Sequence, residues 1–346
     1  MAAAQDPGCA VSGGFRTRWI PEDIVIPSPR TGHGAHHLSD QPAKGACHRA
    51  ATTIALLLAL SGCSVEQLAV RRAGDALATS GDLFATDDDP ELVAAAAPFG
   101  LKTVEGLAAK QPDHAGLRLA AARGFTQYAW AFVQSPADEL EERDLAGAYA
   151  LRARAQRLYL RARNHGLAGL GFGTNESLAR LRADPSAALA RVGRDRAALL
   201  HWTAVAWAAA ISLGKDNPAL VADLPVVEAL VNRAMATDPG TGDGALHTFL
   251  ISYEAARPAG GPAAMALARR HFDVAIARSG GLDAAPRVAL AEAVARTGSG
   301  RAEFESLLRD ALAVDPDRAP SRRLANLVSQ RRARWLLTQT DNLFPE

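Results

Sequence analysis

"FESLLRDALAVDP", residues 304–316, decides the fold class. Phe304, Leu307, Leu308, Ala311 and Leu312 stand at i, i+3, i+4, i+7 and i+8, which is one apolar stripe of an amphipathic helix. Pro316 then stops it, because proline cannot continue the helical hydrogen-bond ladder. The same design recurs upstream. Val227, Leu230, Val231 and Ala234 in "VEALVNRAMATDP" (227–239) repeat the stripe and end at Pro239. "VEGLAAKQP" (104–112) ends at Pro112, and "FDVAIARSGG" (272–281) ends on glycine, which supplies a left-handed cap. Nothing shows period-2 alternation bounded by hairpin turns. The chain is therefore expected to be all-α. The stops at Pro239, Gly280 and Pro316 lie 41 and 36 residues apart, close to the ~34-residue period of tetratricopeptide (TPR) helix pairs. The architecture expected is a TPR-like superhelix, in which each pair buries its apolar face against the next.

The first sixty residues read differently. Residues 1–42 hold Pro7, Pro21, Pro27, Pro29 and Pro42 and no sustained period, so they are expected to be disordered, or to precede a true start between Val25 and Lys44. "TTIALLLALSGCS" (52–64) is an apolar run too short for the ~20 residues that span a bilayer. With Lys44, His48 and Arg49 before it and small residues after it, residues 43–62 read as a secretory signal. Cysteine directly after Leu-Ser-Gly resembles the lipobox of bacterial lipoproteins, whose cysteine is lipidated and becomes the new N-terminus. Cys63 is thus the expected lipidation site, and residues 63–346 the helical domain. The other two cysteines, Cys9 and Cys47, precede it, so no disulfide or cysteine-based metal site is expected in that domain.

The net charge is +1, which gives no electrostatic case for nucleic acid. There is no Gly-x-Ser-x-Gly elbow, His-Glu-x-x-His or P-loop, and the histidines are scattered without ligand spacing. No enzyme activity, cofactor or metal is expected, although a hydrolase assembled from distant residues stays open.

Five segments together resemble one family, the TatT component associated with tripartite ATP-independent periplasmic (TRAP) transporters. They are "AAAAPFGLKTVEGLAAKQPDHAGLRLAAARGFTQYAWAFV" (94–133), "RAQRLYLRARNHGLAGL" (154–170), "WTAVAWAAAISLGKDNPALVADLPVVEALVNRAMATDP" (202–239), "GDGALHTFLISYEAARP" (242–258) and "ALAVDPDRAPSRRLANLVSQRRARWLLTQTDNLF" (311–344). The resemblance implies a periplasmic lipoprotein that works with a TRAP-type solute-binding protein, as a homotrimer, held to the membrane only through its lipid. Serine at position 64 points to the outer membrane. A different class of function stays in view: a general TPR scaffold lipoprotein for cell-envelope assembly.

Several side chains stand out as candidates for a small hydrophobic or carboxylated ligand. Tyrosine and tryptophan combine an apolar body with a polar tip, and arginine grips a carboxylate with two parallel hydrogen bonds. Three groupings offer that pair: Tyr128 with Trp130, Tyr159 with Arg161, and Arg332 with Trp335. The competing expectation is that the aromatics are buried struts and the arginines are paired. Arg154, Arg157 and Arg161 also share a helix face. They form either a docking surface for an acidic partner or a solvated face paired with "DELEERD" (138–144). "FATDDDP" (84–90) reads as a helix start rather than a cation site, with Asp89 as N-cap and Pro90 at the first position.

Overall fold

Asp89 starts the first long helix as its sequence predicts. Its carboxylate accepts a hydrogen bond from the Leu92 N–H at 2.9 Å, Pro90 opens the first turn, and Glu91 meets the positive end of the helix dipole. The computed structural model describes residues 72, 74–76, 84–257 and 261–345. The expected leader, the expected signal and Cys63 lie outside the described residues.

Helix α1 (Pro90–Lys110) pairs with α2 (Ala115–Ala129), which runs through a π-helical turn (Trp130–Gln134) into the short α3 (Ser135–Leu140). The long α4 (Leu145–Gly169), capped by Asp144, packs on α2 and α3. Next come α5 (Asn175–Ala183), α6 (Pro185–Leu189), α7 (Ala197–Ser212), α8 (Pro218–Val221) and α9 (Leu224–Thr237), with α7 between α4 and α9. Then α10 (Ala245–Ala255) packs on both α11 (Gly261–Arg278) and α12 (Ala285–Ala295). Finally α13 (Arg301–Leu312) lies between α12 and α14 (Arg323–Thr338), and α15 (Thr340–Leu343) ends the series. Among the described residues every regular element is helical, so the protein is all-α.

The expected stripes form the core. Val227, Leu230, Val231 and Ala234 are buried with Trp207 and Leu246, while Phe304, Leu307, Leu308 and Ala311 are buried with Val288 and Leu336. Gly280 and Gly281 end α11 at φ 59° and 77°, a region that costs glycine little. At Gly166 helices α4 and α7 cross so closely that any β-carbon would overlap the Thr203 side chain. The tetratricopeptide period is not established by this packing.

Helix α1 is long and apolar enough to cross a membrane by length and composition. Here it packs on α2 through Val104 and Ala108, Val93 and Ala97 are also buried, and Leu92 and Phe99 are left exposed. At the far end α14 returns to the start of the series. Arg331 pairs with Glu139 at 2.9 Å, and the Arg323 guanidinium donates to the Thr86 carbonyl at 3.4 Å.

Candidate functional site

The closure is built around Asp138. Pro136 lacks an N–H, and the backbone just before it takes the wider i→i+5 turn of a π-helix. This turn leads into the acidic run of α3. Asp138 meets Arg152 of α4 at 2.9 Å and Arg332 of α14 at 3.0 Å. Arg332 also meets Glu292 of α12 at 2.8 Å and lies over the Trp335 ring at 4.3 Å. Arg152 forks onto Glu141 as well, at 2.6 and 2.9 Å. Burial works against the charge of Arg332, but the two carboxylates more than offset it and hold its pKa above the usual arginine range. The α3 end is thus tied by charge to α4 and α14, and through Arg332 to α12.

The Tyr128–Trp130 grouping packs half-buried against Ala129, Val133, Ala155, Tyr159 and Ala210. Trp130 opens the π-helical turn, both rings flank one cluster, and Tyr128 meets Phe132 at 5.7 Å. Arg154 lies over the Tyr128 ring at 5.9 Å. Tyr159 is only 1 % exposed, and its hydroxyl donates to Gln134 Oε1 at 2.7 Å. Burial, helped by Asp138, pushes this phenol far above its ordinary range. It is a buried strut that lines no surface here. Arg161 is not beside it: two residues on, it faces outward, pairs with Glu105 at 3.2 Å and stacks over Phe125 at 5.4 Å. Arg332 and Trp335 do meet, but two carboxylates already hold that guanidinium.

Glu105 anchors a second cluster. The Arg118 guanidinium donates to His165 Nδ1 at 3.2 Å, which leaves His165 Nε2–H to donate to Glu105 Oε1 at 3.2 Å. Burial nevertheless holds His165 below the ordinary histidine range. Lys102, His165 and Arg161 together lower the Glu105 pKa against the effect of its burial. Arg–His–Glu in this order presents no nucleophile; it fastens α1, α2 and α4 to one another.

A depression of about 530 Å³ lies where α4 ends, lined by Leu170, Phe172, Val192, Arg191 and Arg196. None of the six candidate residues lines it. A smaller one of about 270 Å³ lies beside Arg287, Asp310 and Arg318. Among the described residues no cluster of three or more histidine, cysteine or acidic side chains is placed to hold a metal ion. Sequence reasoning missed Asp138, Glu292, Glu105, Gln134 and Arg152. Arg152 finds its carboxylates 11 and 14 residues back, Glu105 finds His165 60 residues on, and only the acidic run at 138–144 hinted at any of these pairings.

These features define an all-helical protein whose charged groups fasten helix to helix. The family model described as TRAP transporter T-component matches residues 86–344. A protein of Treponema pallidum (strain Nichols), described only as uncharacterized, is 31% identical over 306 residues, covering 83% of this chain and 94% of that relative. The chain belongs to the TRAP transporter T-component family. Membership gives it an accessory role in TRAP transport, a class of component that is not an enzyme.

Proposed function

We propose that the protein is a lipid-anchored, TPR-like periplasmic accessory of a TRAP transport system, held through Cys63 to the outer membrane, that docks the solute-binding protein. The family match carries the reading, since it spans every helix from α1 to α14. The lipobox-like "LSGC" (60–63) supports the anchor. A single lipid chain binds a membrane only marginally, so the anchor requires the two or three chains of a processed lipoprotein. A homotrimer is part of the same proposal. So is a hydrophobic or carboxylated ligand, and the half-buried Tyr128, Trp130 and Trp335 are the aromatics best placed to meet one. Arg332 would have to exchange Asp138 or Glu292 for the ligand's carboxylate.

The test is direct binding between the full chain and the TRAP solute-binding protein encoded in the same genome, by isothermal titration calorimetry. Saturable binding is the expected result. No binding up to millimolar concentration, with both proteins folded, refutes the docking reading.

A further inference from the structure

The outer face of α4 is built of residue types that bind carboxylates, and the structure leaves part of it unneutralised. Helices α2 and α4 contain no aspartate or glutamate, so every counter-charge must come from elsewhere. The acidic run 138–144 is the nearest supply in sequence. It pairs instead with Arg152, on the other side of α4, with Arg331 and Arg332 of α14, and with Asn342 of α15. Among the described residues neither Arg154 nor Arg157 has a carboxylate within ion-pair distance, and both are exposed. Arg161 continues the stripe one turn on. Its partner Glu105 is shared with Lys102 and His165, so that single negative charge is divided among three donors.

The surroundings of these arginines favour a protein partner. Arg154 rests over Tyr128 and Arg161 over Phe125, which holds two planar guanidinium groups in place before a partner arrives. Preorganised arginine loses less side-chain entropy on pairing, and its fork fits a carboxylate with two parallel bonds. Between and beside them Ala150 and Ala153 are exposed and small, so another backbone can approach closely. Tyrosine and arginine around a flat, small-residue centre is the composition of interface hot spots. An anionic membrane is matched more simply by lysine, and this face carries none.

We infer that the exposed face of α4, centred on Arg154 and Arg157, is the docking surface for a carboxylate-rich patch of the solute-binding protein. This rests on the docking reading above and adds the place and its chemistry. The steering charge sits on rigid helix, so it acts on the rate of encounter as well as on the lifetime of the complex.

The experiment compares the full-length wild type, an R154E/R157E variant and an R296E/R318E control by surface plasmon resonance against the immobilised solute-binding protein. Arg296 and Arg318 are exposed and lie outside α4, so the control matches the charge change. The expected result is at least 10-fold weaker binding for R154E/R157E, a shallower salt dependence, and a change below 3-fold for the control. Circular dichroism checks that all three fold alike, as exposed positions should allow. Equal binding by wild type and R154E/R157E overturns the inference while the docking reading stands. No binding by wild type overturns both. Vesicles of phosphatidylglycerol and phosphatidylethanolamine form the last arm. If R154E/R157E loses vesicle binding and keeps the solute-binding protein, the face belongs to the membrane and the inference is overturned.

Discussion

Replacing Arg332 by methionine removes one cation and keeps an apolar stem over Trp335. The side chain is 12 % exposed, and its removal leaves Glu292, 24 % exposed, without its arginine. Asp138 keeps Arg152 at 2.9 Å, so only one of the two carboxylates is stranded. Breaking a buried ion pair from one side costs about 3–5 kcal/mol, and water reaching the quarter-exposed Glu292 recovers part of it. The lost stacking over Trp335 adds about 0.5–1 kcal/mol. We therefore expect R332M to lower the unfolding free energy by about 3 kcal/mol. Urea unfolding followed by circular dichroism measures it, and hydrogen exchange should show the loss concentrated in α14. A cycle with Glu292→Gln should give a coupling of about 1–2 kcal/mol, well outside the ~0.3–0.5 kcal/mol scatter of independent sites. A loss below 0.5 kcal/mol, or strict additivity of the two changes, refutes the account of the closure.

Other perturbations test other parts. Asp89→Ala should cost about 1 kcal/mol, because the Leu92 N–H loses its cap, and urea midpoints will read it. Gly166→Ala should destabilise by about 1–3 kcal/mol through overlap with Thr203, and adding Thr203→Ala should recover part of that loss. His201 is fully buried, and burial pushes its pKa down to about 4, whereas an unfolded chain titrates near 6.5. Above pH 6.5 both states are neutral and the group adds nothing to the pH dependence. Between 6.5 and 4 the unfolded state takes up the proton first, so stability should fall by on the order of 3 kcal/mol; His165, His247 and His271 push the same way. A His201→Phe variant whose urea midpoint drops as steeply as wild type from pH 7.5 to 4.5 contradicts this. Cys63→Ala should abolish incorporation of labelled palmitate and release the chain from the membrane fraction, as measured by labelling and fractionation.

The helices were legible because their signals are local. Stripes such as Phe304–Leu307–Leu308–Ala311 and stops such as Pro239 and Gly280 act within one or two turns of chain. Buried Val227 and Leu230 follow from periodicity alone, since an apolar face has to be covered by something. The site was legible only in part, because its partners are set by tertiary packing. Nothing in "RARAQRLYLRARNH" separates Arg152, which finds Asp138 and Glu141, from Arg154, which finds a tyrosine face. The π-turn at 130–134 also escaped. A proline at 136 announces a disturbed ladder without saying which disturbance follows. Pairing the acidic run with the arginine stripe of α4 was the natural local guess. The structure gives Asp138 and Glu139 to arginines of α14, nearly two hundred residues away, while the α4 arginine that the run does meet is Arg152, off the stripe.

That distance has a consequence for the order of events during synthesis. Glu139 and Arg331 are 192 residues apart, Glu142 and Asn342 are 200 apart, and Thr86 and Arg323 are 237 apart. Contacts of such separation form only after a long loop has closed, and they slow folding compared with neighbouring helix pairs. On a growing chain α1 to α4 can pair at once, while, short of arginines that are not yet made, Asp138 holds only Arg152 and Glu139 stays in water. Their charges keep that edge of the half-built protein hydrated during the wait. Chains that stop short of α14 should therefore accumulate as collapsed, helical, unclosed species, and the final helix acts as the timer for completion.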